Sequence, residues 1–132
     1  MVYFNFCHIF ITYMIVTNLL TLQNQLKIHH WQTRKYSEHQ ALGGAYDAFA
    51  ESIDEFIEVL MGKYGRIQSK SGFTIELKNY QDLSTETFVD KYIYYLVNEL
   101  PKGLESSDTD LLNIRDEMLA ELNKLKYLLT LE

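Results

Sequence analysis

The chain has 132 residues, enough for one buried core and too few for two, and carries a formal charge of −6 with a sequence pI near 5.2. One proline and six glycines leave few turns for an all-β sandwich, whereas 47% hydrophobic and 23% charged residues suit long helices. The acidic balance, with Arg34-Lys35 the only adjacent basic pair, argues against nucleic acid as a partner, and a single cysteine, Cys7, excludes an internal disulfide and fits a reducing, cytoplasmic setting.

Residues 1–26 contain no Lys, Arg, Asp or Glu, and residues 1–16 are mostly apolar. A signal peptide would need a basic start and a small-residue cleavage site, and neither is there. A spanning helix needs roughly 20 apolar residues, and Asn5, His8 and Thr12 interrupt this run. A buried helix, or an extension over residues 1–13 ahead of a start at Met14, ranks above a membrane anchor; a signal peptide ranks last.

Four helices follow in chain order. The first spans about Tyr13 to Gln32, with Ile11, Ile15, Leu19, Leu22 and Leu26 on one stripe and His30 at its next i+4 position. The second starts near Ser37, where Ser37 and Gln40 have capping-box spacing, and ends at Gly62 or Gly65. Its stripe is Tyr46, Phe49, Ile53, Ile57 and Leu60. Residues 66–83 form a long polar connection in which Phe73 to Leu77 alternates as if briefly extended, the mark of a functional loop or packed crossover. The third runs from Thr85, capped by Ser84, to Leu100, where Pro101 and Gly103 stop it. The fourth runs from Ser107, with Asp110 at capping-box spacing, to about Thr130. It buries Leu111, Met118, Leu122, Leu125 and Leu129, and Arg115 on that face must snorkel or pair. The expectation is a single all-α domain, a four-helix bundle with a long connection between helices two and three.

Helix two carries the chemistry. With His39 as the zero direction and about 100° per residue, Asp47, Asp54 and Glu58 fall at about 80°, 60° and 100° on one stripe. Asp54 and Glu58, at i and i+4, can share a cation. With His30 and His39 they make a borderline-to-hard donor set suited to iron, manganese or zinc. His39 and Asp54 nevertheless lie about 22 Å apart along one helix. A two-fold dimer solves this by setting the histidine end of one chain against the carboxylate end of the other. The plain alternative is a solvated acidic face, since Glu51 and Glu55 make this helix acidic generally, with histidines that cap or pack.

The run His30-Trp31, a short turn, His39, then Asp54 and Glu58 at fifteen and nineteen residues beyond it resembles the core motif of the Dps-like mini-ferritins of starved bacteria. The resemblance covers roughly residues 17–62 closely. The stretches His30-Trp31-Gln32-Thr33 and Asn113-Ile114-Arg115-Asp116-Glu117 are also similar to ferritin-like proteins of phages and large DNA viruses. It implies a ferritin-like bundle and an iron site between subunits, mononuclear or dinuclear, with His30, Asp54 and Glu58 as ligands and His39 as a further one.

The chain departs from that pattern in four places. The turn between the histidines is three residues shorter, and the family's extra Asp four residues after the second His is Gly43, with Asp47 one turn on. No basic N-terminal tail and no clear short helix in the connection are present, so a homodimer is implied more firmly than a twelve-subunit cage. Trp31 reads as a packing aromatic. Asp116 and Glu117 read as caps or ion-pair partners, because no Glu-x-x-His pair exists for a site within one bundle. The functional expectation is ferroxidase-type Fe(II) oxidation with iron sequestration; the alternative is a non-catalytic bundle for assembly or partner binding, of which one variant adds membrane attachment through the apolar start.

Overall fold

The computed structural model describes residues 6–132, with side chains from residue 9 onward. Residues 1–5 of the expected extension and the Cys7 thiol lie outside the described residues. Among the described residues every regular element is helical: α1 (Phe6–Gln32), α2 (Tyr36–Tyr64), a single 3-10 turn at Tyr80–Asp82, α3 (Thr85–Tyr94) and α4 (Thr109–Leu128). A π-turn over Tyr95–Glu99 and a 3-10 turn over Leu100–Gly103 prolong α3.

The apolar stripes meet in one core, in which Leu19, Leu22 and Leu26 of α1 pack with Phe49, Phe56 and Leu60 of α2, Phe88 and Leu96 of the third segment, and Met118 and Leu122 of α4. The α1 stripe drifts from its expected line at both ends. Ile11 is exposed at 38%, and the core-facing imidazole is His29, three residues after Leu26, whereas His30 turns toward α2. A straight helix repeats every 3.6 residues, so a run of i+4 steps leaves the buried face.

Helix ends were the least predictable feature. Ser84 caps α3 as expected, accepting the Thr87 N–H at 3.1 Å. The expected Ser37–Gln40 box does not form: α2 begins a residue earlier, behind Lys35, with no side-chain cap, while Thr33 Oγ1 accepts the Lys35 N–H at 3.2 Å to tighten the turn. The α4 cap falls on Asp108 rather than Ser107. Its carboxylate does not bond into its own helix, because Lys63, the Tyr64 hydroxyl and the Glu105 N–H occupy it. Gly65, at φ 90, ends α2 with its N–H on the Met61 carbonyl.

Pro101 accounts for the π-turn and for Arg115. The Leu100 N–H reaches back five residues to the Tyr95 carbonyl, so the corresponding partner of the Leu96 carbonyl is Pro101, which has no N–H. Arg115 Nη1 donates to that carbonyl at 3.0 Å and Nε to Asp116 at 2.8 Å, the pairing its place on the α4 seam required.

The long connection is a packed crossover. Phe73 stacks on Tyr13 at 5.4 Å, and no strand forms at Phe73 to Leu77. Further on, Gln25 exchanges two 2.8 Å hydrogen bonds with the backbone of Lys78. Gln32 accepts the Tyr80 N–H at 2.7 Å, and His29 Nε2–H donates to the Leu83 carbonyl at 2.9 Å. Residues 25, 29 and 32 lie on one helix face, so α1 supplies a polar edge along which the chain climbs back to the end where α2 began. There Thr85 donates to Glu38 at 2.7 Å. Consequently α3 runs parallel to α2, and α4 returns antiparallel, its start held to the end of α2 by Lys63 with Asp108 and Asp110. The architecture is an all-α four-helix bundle with one long crossover between helices two and three. Among the described residues, no helix is long and apolar enough to cross a membrane.

Candidate metal centre

The three-residue turn between α1 and α2 brings His30 and His39 face to face, with ring centroids 3.8 Å apart and planes inclined by 16°. Each anchors the other's backbone. His30 Nδ1 lies 2.7 Å from the His39 carbonyl, and His39 Nδ1 lies 2.8 Å from the His30 carbonyl. A carbonyl oxygen only accepts, so both Nδ1 atoms carry hydrogen and both Nε2 atoms are left as the coordinating positions. This is the arrangement in which metal-bound imidazoles are usually held, one nitrogen bound to the backbone and the other turned to the ion. Lone pairs lie in the ring plane, so two nearly parallel stacked rings are not placed to chelate one ion together.

Gly43, one turn after His39, makes this approach possible. A Cβ there would sit 2.9 Å from His30 Cε1 and 3.1 Å from Nδ1, closer than side chains tolerate. With no side chain at 43, the chain has room for the His30 ring.

Asp47, Asp54 and Glu58 are all exposed on α2, and among the described residues no ion pair holds them. Some other acids are paired, Asp90 with Lys126, Asp110 with Lys63 and Asp116 with Arg115, whereas Glu51 and Glu55 on α2 are, like Asp47, Asp54 and Glu58, in no ion pair among the described residues. Among the described residues no three His, Cys, Asp or Glu side chains converge within one chain. The structure thus joins His30 with His39, keeps Asp54 with Glu58 on neighbouring turns of α2, and leaves the two halves apart.

The surroundings of the imidazole pair are aromatic and open. Trp31, expected to pack, is 65% exposed, and Tyr36 is 75% exposed with its ring 6.3 Å from that of His39. Trp31 is left outside because α1 ends at Gln32 and the tight turn carries the chain away from its ring. Lys27 crosses between Trp31 and Tyr46, with Nζ 4.3 Å from the Tyr46 ring centre.

Sequence reasoning passed over the buried layer beneath this surface. Glu38, nearly enclosed, accepts from Thr85 and from the Tyr80 hydroxyl at 3.1 Å. His29, fully buried, is pushed below its ordinary pKa by burial, which outweighs the opposing pull of Glu38. Its Nδ1 has no hydrogen-bond partner, as expected of a neutral ring whose proton is on Nε2. A polar residue at each of positions 25, 29 and 32 was the available signal for this layer, and the glycine pair inside a helix was the signal for the close approach at Gly43.

Bundle and site together define a class: a small one-crossover helical bundle carrying an oriented bis-imidazole pair and a separate carboxylate pair. The model of a family of unknown function (DUF5856) matches residues 30–129, a span that takes in both histidines and all three acids, and the chain belongs to that family. No curated protein and no solved structure matches it.

Proposed function

We propose that this is a Dps-like, ferritin-type protein that binds iron between two copies of the chain and oxidises Fe(II), sequestering iron and consuming oxidant. The observation that carries the reading is the reciprocal backbone lock on His30 and His39, which leaves two Nε2 atoms without a proton on half-buried rings, with exposed Tyr36 beside His39. Asp54 and Glu58, with Asp47 as a third acid, supply the charge that a second copy would bring to those nitrogens. The one-crossover topology, which ferritin-like bundles share, and the spacing of the motif support the same reading.

Iron is the substrate here. Nitrogen donors of borderline softness with hard carboxylates accept Fe(II), and the negative charge favours the Fe(III) product. Each ferrous ion gives up one electron; a peroxide takes up two electrons and two protons and leaves as two waters. The chain's own part is to hold the ions, to keep both Nδ1 protons on carbonyls, and to leave room for the oxidant. Manganese or zinc fits the same donors and would compete.

The test is aerobic Fe(II) addition to the wild type and to an Asp54→Ala/Glu58→Ala variant. Oxidation is expected to slow at least tenfold, since even an outer-shell change costs that much at metal sites. Equal rates would favour the alternative, a bundle that serves assembly alone.

A further inference from the structure

We propose that Gly43 is a positioning residue for the His30 imidazole, and that it acts by having no side chain. The metal-binding half of this proposal rests on the iron reading above; the orienting half stands on geometry alone. His30 is confined on two sides. The His39 ring covers it at 3.8 Å, and the α2 backbone at Gly43 lies so near that a Cβ would come within 2.9 Å of Cε1, 3.1 Å of Nδ1 and 3.8 Å of Nε2. The first of those contacts is one that real Cβ atoms essentially never make, and the ring it meets is held by its stacking on His39 and its hydrogen bond to the His39 carbonyl. It is from this position that His30 Nδ1 reaches the His39 carbonyl at 2.7 Å. Any side chain at 43 must therefore move the ring, break the Nδ1 hydrogen bond and release Nε2 from its fixed direction.

Gly44 is the internal control. It sits next along the same helix, and a Cβ there meets nothing within 4 Å. Alanine gains the same helix propensity at both positions, so any difference between the two variants isolates the contact with His30.

The experiment compares wild type, Gly43→Ala and Gly44→Ala, each also in a His30→Ala background. Gly44→Ala should raise the melting temperature in both backgrounds. Gly43→Ala should lower it when His30 is present and raise it when His30 is absent, and this reversal is readable even if the single variant folds poorly. Long-range 1H–15N spectra of the metal-free proteins should give His30 as the Nδ1–H tautomer in wild type and Gly44→Ala, and lose that signature in Gly43→Ala. Cobalt(II) alone, followed by its visible spectrum, should bind Gly43→Ala ten- to a hundredfold more weakly than wild type, the usual effect of disturbing a ligand's orienting partner. A Gly43→Ala variant that is stabilised with His30 present, or that retains the Nδ1–H tautomer, overturns the positioning role. Failure of cobalt to bind wild type while the tautomer difference holds overturns the metal reading instead.

Discussion

Two side chains acquire defined roles only through each other. His30 and His39 each donate Nδ1–H to the other residue's backbone carbonyl, and their stacked rings together close a turn of three residues. Replacing His39 with Ala removes the ring that covers His30 but keeps the carbonyl that accepts its Nδ1–H, so the Nδ1–H signature of His30 should persist. At the other end of the bundle Asp108 is almost fully buried. Burial raises its pKa, but hydrogen bonds from Lys63 and Tyr64 outweigh burial and hold the carboxyl below its ordinary 3.8. A carboxyl depressed in the folded state stabilises it above the unfolded value and loses that contribution as pH falls through the folded value. The stability difference between wild type and Asp108→Asn, measured by urea unfolding, should thus be full at pH 7 and shrink below about pH 4. At neutral pH, Asp108→Ala should cost about 2–4 kcal/mol, since three donors lose a charged acceptor.

Among the elements, the crossover is the one whose stability rests on polar groups. Gln25 is 2% exposed and satisfies both the N–H and the carbonyl of Lys78, as a neighbouring strand would. Gln25→Ala should cost about 1–3 kcal/mol and, more tellingly, raise amide exchange at residues 78–83 ahead of the helices. Gly44→Ala should gain about 0.5–1 kcal/mol, the ordinary glycine penalty inside a helix. The four helices were legible from their stripes because Leu, Ile and Phe recur at helical spacing and little else competes. The ends were less so: the Ser37 and Ser107 capping patterns gave way to a turn closed by imidazoles and to a carboxylate claimed by another helix. A local capping pattern cannot register partners outside its own four residues, whether nine residues apart as at the imidazole turn or 44 as at Asp108. The candidate ligands His30, His39, Asp54 and Glu58 were visible as types at a spacing. What the spacing could not contain was the reciprocal Nδ1 lock, the room left by Gly43, and Trp31 lying outside rather than within the packing.

For the whole molecule, the proposed site requires two chains. His39 and Asp54 are about 22 Å apart along a rigid helix, and no bend of the bundle within one copy removes that distance. Exposed Trp31 and Tyr36 flank the imidazoles, and large aromatics of this kind dominate the energetics of stable interfaces. Replacing both with Ala should shift the protein toward monomer in light scattering and slow Fe(II) oxidation in proportion, whereas Tyr127→Ala, equally exposed but on α4, should change neither.

The most direct measurement is subunit complementation. A His30→Ala/His39→Ala variant and an Asp54→Ala/Glu58→Ala variant, each at least tenfold slower alone, would be mixed in equal amounts, dissociated and reassociated. Random pairing makes about half of the dimers mixed, and each mixed dimer regains one intact site of two, so about a quarter of the wild-type Fe(II) oxidation rate per chain should return. No recovery in a mixture whose mixed dimers are verified by mass would contradict a site shared between two chains.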